Sequence, residues 1–301
     1  MQIIHTIQKL QDVLKPHRQQ KIALVPTMGN LHDGHLQLVK TAKQHADIVV
    51  VSIFVNPTQF GVGEDFDTYP RTLTQDCEKL QHIGTDFVFS PSVDEMYPNF
   101  HEHPPKTQVI AGDIAKILCA KSRPTHFDGV GLVVTKLFNI VRPDVAVFGK
   151  KDYQQLAIIR QINQDLNFGI DIIGMEIVRA DDGLALSSRN SYLTETERKI
   201  APMLQQTLQA LKAKLINDAE LNLQKLDDYR NQSIALLNSQ GFKVDYLDIY
   251  TQNLDELNSG HLNSGHLNTN LVIVAAAWLG KKARLLDNIE INLNQFKPTK
   301  N

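Results

Sequence analysis

Val25-Pro26-Thr27-Met28-Gly29-Asn30-Leu31-His32-Asp33-Gly34-His35 is the stretch whose reading decides how this chain folds. It follows a short apolar run, residues 22–25, that reads as a buried strand, and it leads into helical spacing over residues 36–46. A strand, a glycine-bearing turn and a helix in that order open a β–α unit. The start of a helix presents unpaired N–H groups and the positive end of its dipole, a setting suited to phosphate. His32 and His35 stand three apart, so both can face the same way there. Gly29 and Gly34 let the backbone come close to a ligand that a side chain would hold off. An isolated His-x-x-His more often caps or packs a helix. Here the Pro-Thr-Met-Gly lead-in and the strand–turn–helix context favour a nucleotide site, with donors gathered where charge builds on phosphorus.

Working outward, strand-like runs recur at residues 48–55, 87–90, 145–148 and 170–178, separated by helical spacing at 73–82, 114–119, 130–140 and 153–166. Apolar strands joined by helices predict a parallel sheet covered on both faces, doubly wound and Rossmann-like. Ligands in such sheets bind beyond the carboxyl ends of the strands. Three segments that follow strands, at 27–35, 56–61 and 149–152, therefore converge on one edge. Past residue 176 the pattern changes to long polar helices, 194–216 and 219–240, and then strands at 244–250, 271–278 and 283–291. The expected division is a nucleotide-binding domain over residues 1–176 and a smaller α+β domain over 177–301, with residues 179–189 in the cleft between them.

The 301 residues carry a formal net charge of −2, so no basic surface announces a nucleic-acid partner, and a phosphate ligand must be held by local cations. No apolar run approaches the roughly 20 residues that span a bilayer, and residues 1–20 lack the apolar core of a signal peptide. Cys77 and Cys119 show no metal-ligand spacing and read as reduced thiols of a cytoplasmic protein. Asn-Ser-Gly-His-Leu occurs twice in succession, at 258–262 and 263–267, and reads as a lengthened surface loop, since His261 and His266 have no further metal ligands nearby.

Three further clusters carry candidate chemistry. In Asn56-Pro57-Thr58-Gln59-Phe60-Gly61, Gln59 offers donors and an acceptor to a small polar substrate. The polar, acidic stretch 61–69 after it suits a flap that excludes water. In Phe148-Gly149-Lys150-Lys151-Asp152, Lys151 is the candidate for neutralising phosphate charge and Asp152 for accepting from ribose hydroxyls, with Gln155 following on the same edge. In Asp182-Gly183-Leu184-Ala185-Leu186-Ser187-Ser188-Arg189-Asn190, two hydroxyls and a guanidinium form a phosphate clamp, although alone the stretch would read as a helix-capping loop. Between them, Arg123 and His126 add donors, and residues 130–137 offer an apolar wall.

Taken together and in order, segments 26–35, 56–61, 69–72, 123–129, 138–144, 148–156, 182–190 and 285–289 resemble the pantoate–β-alanine ligase (pantothenate synthetase) family. That resemblance implies an H-x-G-H nucleotidyltransferase fold and ATP-dependent condensation of (R)-pantoate with β-alanine through a pantoyl adenylate. It places ATP on Met28, Gly29, Asn30, Leu31, His32, Asp33, Gly34, His35, Gly149, Lys150, Lys151, Asp152, Val178, Leu186, Ser187, Ser188 and Arg189. It places pantoate on Gln59 and Gln155, and β-alanine beside Gln59. His35, His32, Lys151 and Arg189 become the expected catalytic groups, His35 at the position assigned general acid. The resemblance also implies Mg²⁺ held mainly by ATP phosphates, with Asp76 as an outer-sphere neighbour, and a homodimer. Departures from the family pattern are Lys150, where an acidic residue is usual and which is expected to add positive charge, Ala180 before the Asp-Gly-Leu run, the duplicated loop and the tail beyond residue 291. Rival readings are a cytidylyltransferase-like enzyme that leaves the nucleotide on its product and a non-catalytic nucleotide-binding module.

Overall fold

The computed structural model describes residues 1–61, 63–64, 66–100, 102–263 and 266–293. The chain divides into two compact units, Met1–Lys150 with Gln154–Val178, and Lys151–Tyr153 with the residues from Arg179 onward.

Among the described residues of the first unit, six strands form one parallel sheet. They are β1 (Gln2–Ile4), β2 (Ile22–Thr27), β3 (Ile48–Ile53), β4 (Phe87–Phe89), β5 (Val145–Gly149) and β6 (Asp171–Met175), in the order β1-β4-β3-β2-β5-β6. The helices are α1 (Ile7–Leu14), α2 (Asp33–His45), α3 (Leu73–His82), α4 (Val93–Met96), α5 (Cys119–Ser122), α6 (His126–Val141) and α7 (Tyr153–Asp165). Alternate residues of the central strands point to opposite faces, and both sets are buried. Ala23, Val25, Val49, Val51, Val145 and Val147 meet Leu38, Val39 and Ala42 of α2 and Cys77 and Leu80 of α3. Leu24, Val50, Ala146 and Phe148 are also buried, and Phe148 packs edge-on against Phe138 of α6. This is the doubly wound α/β architecture the strand–helix alternation predicts.

The chain steps outward from β2 through β3 to β4, then returns to lay β5 on the other side of β2. The strand order therefore reverses between β2 and β5, where open sheets bind ligands. Pro26 sharpens that point. The Ile22 carbonyl accepts from Asp144 just before β5 and the Thr27 carbonyl from Phe54 just after β3, so by alternation Pro26 faces β5. Proline has no N–H to give, and the β2–β5 pairing stops at Leu24 and Ala146.

The second unit contains α8 (Glu195–Ile200), α9 (Met203–Asn217), α10 (Leu223–Ser239), β7 (Phe242–Thr251), β8 (Leu262–Asn263), β9 (His266–Leu267), β10 (Leu271–Leu279) and β11 (Ala283–Ile291). β7, β10 and β11 form an antiparallel sheet with the buried β10 in the centre, and α9 and α10 pack against it. Leu204, Leu208, Leu211 and Leu215 recur at helical spacing along α9 and meet Ile273, Ala275 and Ala277 in its core.

Several elements differ from the sequence reading. β1 escapes it: the strand has three residues and only one buried side chain, too little to show a period. The helix expected over 194–216 is broken between α8 and α9, because Pro202 cannot donate and its ring opposes the carbonyl four residues back. The helix expected over 114–119 becomes a 3-10 turn, Gly112–Lys116, and the short α5. The duplicated loop contains a small antiparallel ladder, β8 with β9, while Ser264, Gly265 and residues 294–301 of the expected extra tail lie outside the described residues.

Candidate functional site

In the first unit the segment between β2 and α2 takes two successive left-handed residues, Gly29 at φ +85° and Asn30 at φ +51°. A β-carbon at Gly29 would sit 3.1 Å from Ile53 and 3.2 Å from the carboxylate of Asp76, so the position favours glycine on conformation and on space. His32 then caps α2. Its ring Nδ1 accepts from Gly34 N–H at 3.1 Å, and His35 Nδ1 accepts from His32 N–H at 3.3 Å, a reciprocal capping box with the rings 4.1 Å apart. A backbone N–H only donates, so each Nδ1 acts as an acceptor. A neutral ring must then carry its proton on Nε2. The capping reading and the functional reading are therefore compatible: the caps fix a tautomer that makes each Nε2–H a donor.

Asp76 was expected beside a metal's water shell. It is instead fully buried, with its two carboxylate oxygens accepting from the N–H groups of Asn30 and Leu31, each at 2.8 Å, and from the Thr72 hydroxyl at 3.0 Å. Lys79 donates to the Leu31 carbonyl at 2.6 Å.

Gln59 is buried beside this loop, and its side-chain amide donates to the Met28 thioether at 3.0 Å. Its carbonyl oxygen accepts from Asn56 Nδ2 at 3.2 Å, which fixes the orientation of the amide. Asn56 is itself held by the Gly129 carbonyl, the Thr58 hydroxyl and the buried Tyr97 hydroxyl. Burial pushes the Tyr97 pKa up to about 12, so the phenol stays a donor. Arg123 closes a fork on Glu64 at 2.6 and 2.7 Å, and the His126 ring meets the backbone carbonyl of Gln59 at 2.9 Å. That hydrogen-bonded guanidinium holds the Glu64 carboxyl below its ordinary range. Of the stretch expected as a flap, Glu64 is thus tied to Arg123, and Phe66 and Tyr69 pack on Phe60. The apolar wall expected over 130–137 is part of the core, with Val130, Val133, Val134 and Leu137 buried.

Gln154 and Gln155 separate cleanly. Gln154 is buried, donates to the carbonyls of Ile114 and Ile117 and accepts from Cys119 N–H, so its polar atoms are spent on structure. Gln155, the sequence candidate, is half-buried one position on. Gly149 ends β5, and Val178 is the last residue of this unit. Lys150 was expected to add positive charge, but its ammonium pairs with Glu176 at 2.5 Å, which offsets that charge locally.

The second unit holds Lys151, Asp152, Leu186, Ser187, Ser188 and Arg189. Lys151 Nζ reaches the Leu186 carbonyl at 3.4 Å and lies 4.0 Å from the Asp152 carboxylate. Ser187 accepts from Arg189 N–H at 3.3 Å, the capping role the sequence alone would assign it. Arg179 makes a two-pronged pair with buried Asp287, both contacts 2.7 Å, and donates to the Gly183 carbonyl. Asn288 donates to the Lys151 carbonyl at 3.0 Å. The structure therefore brings Lys151 to residue 186 within one unit, and residues 28–35 to Gln59 within the other.

The sequence reading did not assign the supports: Asn56 and Tyr97 behind Gln59, the backbone role of Asp76 and Lys79 at the turn, Asp287 behind Arg179 and Asn288 behind Lys151. Asn56 carried a visible signal, standing before a proline at a strand end. The others act across 41 to 137 positions, beyond the reach of any local pattern.

The pantoate-beta-alanine ligase family model matches residues 2–290. The chain is 62% identical over 289 residues to the pantothenate synthetase of Psychrobacter sp. (strain PRwf-1), covering 96% of this chain and 98% of that protein. It is 52% identical to that of Acinetobacter baylyi, covering 96% and 98%. Its fold matches the crystal structure of pantothenate synthetase from Thermus thermophilus with a TM-score of 0.84, 37% identity and coverage of 96% and 99%. It also matches the Francisella tularensis pantoate-beta-alanine ligase solved with β,γ-ATP and β-alanine, with a TM-score of 0.75, 37% identity and coverage of 96% and 97%.

Proposed function

The chain belongs to the pantoate-beta-alanine ligase family, and we propose that it joins (R)-pantoate to β-alanine with ATP through a bound pantoyl adenylate. A pantoate carboxylate oxygen attacks the α-phosphorus of ATP, and the bond to the bridging oxygen breaks to release pyrophosphate. The amine of β-alanine then attacks the activated acyl carbon, loses a proton and expels AMP, leaving pantothenate.

The observation that carries this reading is the β2–α2 turn itself: a left-handed pair, a helix start and two histidines held in one tautomer, all beside Gln59. Residues 28–35, Gly149, Lys150, Lys151, Asp152, Val178 and residues 186–189 hold the nucleotide. The Nε2–H donors of His32 and His35, with the cations of Lys151 and Arg189, stabilise charge that grows on the triphosphate as a carboxylate approaches it. His35 acts in this reading as a hydrogen-bond donor to the phosphates. Gln59 holds pantoate and lies at the β-alanine site. Its present partner, a thioether, is a weak acceptor that a substrate oxygen readily replaces. Gln155 is the second pantoate contact.

Mg²⁺ enters with ATP, whose phosphates supply most of its ligands. Among the described residues no group of three or more His, Cys, Asp or Glu side chains is placed to hold a metal ion. The domain roles follow the same reading: nucleotide and pantoate binding in the N-terminal part, further ATP contacts from the C-terminal part. Work as a homodimer in the cytoplasm is part of this proposal; no helix among the described residues is long and apolar enough to cross a membrane.

The test is to follow AMP and pantothenate while each substrate is omitted in turn. Both products should require all three substrates. A nucleotidylated product in place of AMP would instead make the chain a nucleotidyltransferase.

A further inference from the structure

We propose that Asp76 is a positioning residue for adenylation: with Thr72 and Lys79 it clamps the backbone of residues 30–31, so that His32 and His35 meet the phosphates in a fixed geometry. The inference rests on the reading of residues 28–35 as the nucleotide turn.

Three observations support it. Asn30 is left-handed directly after Gly29, a conformation that costs a non-glycine residue energy that something must offset. The two residues also turn successive N–H groups toward one side, a concavity that attracts an anion. In this chain the anion is internal: the N–H groups of Asn30 and Leu31 both end on Asp76, whose carboxylate is fully buried and also accepts from the Thr72 hydroxyl. Leu31 is held at both ends of its backbone, the N–H by Asp76 and the carbonyl by Lys79, while its side chain is buried. The next residue is His32, the cap of α2 and half of the reciprocal pair with His35. A carboxylate engaged in this way is spent on the turn, so Asp76 acts through the backbone and not through a metal-bound water.

Asn at position 76 has nearly the same shape but keeps one acceptor and gains a donor, so it leaves one buried N–H facing an N–H. Hydrogen bonds to charged groups carry about 1.5–3 kcal/mol, a factor of about 10 to 100. Full-length Asp76→Asn should therefore form pantoyl adenylate about 10- to 100-fold more slowly in a single turnover with saturating MgATP and pantoate. Its pantoate KM should stay near the parent value. Amide hydrogen exchange should quicken in the peptide spanning residues 29–36 and stay unchanged over α6 and β10. Thr72→Ala, which removes one hydrogen bond and keeps the carboxylate, should show the same changes at about 3- to 10-fold.

Normal adenylation and unchanged protection of residues 29–36 in Asp76→Asn would overturn the proposal, as would a defect that added Mg²⁺ restores. If Asp76→Asn does not fold, parent-like Thr72→Ala overturns it alone. If the parent protein forms no pantoyl adenylate, the functional reading falls, and the exchange arm still decides whether Asp76 holds the turn.

Discussion

At His35 one ring nitrogen is committed to the backbone of His32, which makes the other the phosphate donor in the proposed mechanism. Truncation should therefore have two separable effects. Loss of the cap costs about 1 kcal/mol of stability, while loss of a donor to developing charge costs about 2.7–4 kcal/mol of barrier, on the order of a hundred- to thousandfold in rate. His35→Ala should melt slightly below the parent and form pantoyl adenylate far more slowly. Lys151→Ala should melt near the parent with a similar rate loss. Scanning calorimetry beside single-turnover adenylation checks both, and a sharp loss of stability with near-normal adenylation would return the two residues to structural roles. Gln59→Ala should raise the pantoate KM by roughly tenfold or more and leave ATP affinity little changed; an equal loss for ATP would move Gln59 into the nucleotide site. The candidate residues stood out in the sequence because they fall on short strings beside strand ends. Lys150 shows the limit: its charge was legible, its neutralising partner Glu176 was not, because 26 positions and a helix separate them.

Between elements, α6 packs closely against the Asn56–Gln59 turn. A β-carbon at Gly129 would lie 2.2 Å from the Thr58 carbonyl oxygen and 2.6 Å from the Gln59 α-carbon, contacts that only a shift of backbone can relieve. Gly129→Ala is expected to cost about 1–3 kcal/mol by overpacking and to raise the pantoate KM more than the ATP KM, measured by thermal melts and steady-state kinetics. A parent-like enzyme would show that the turn moves at no cost to Gln59. The Glu64 and Arg123 fork makes a pH-dependent prediction. The Glu64 carboxyl is held below its ordinary value of 4.5, first by the hydrogen bond from Arg123. Its stabilisation is therefore present above the ordinary value and lost as pH falls through the lowered one. The melting-temperature gap between parent and Glu64→Gln should be full at neutral pH and close in acid; a gap that widens in acid contradicts this. The central strands were legible as continuous apolar runs, which a sheet covered on both faces requires, and α2 by its helical spacing. β1 and the break before α9 were not, the first for its length and the second because the step from Ile200 to Leu204 keeps apolar helical spacing across Pro202.

Across the whole molecule, a net charge of −2 means that the anionic substrates of the proposed reaction need local cations to hold them. The doubly wound sheet followed from the alternation of elements. That Lys151–Tyr153 belongs with the second unit did not, since Asn288 reaches the Lys151 carbonyl across 137 positions. The claim that joins all scales is that acyl activation precedes and is separable from amide formation. The most direct measurement is isotope exchange between labelled pyrophosphate and ATP in the absence of β-alanine. The expected result is exchange that requires pantoate and Mg²⁺ and proceeds without release of free AMP. Exchange that requires β-alanine, or that runs without pantoate, would contradict it.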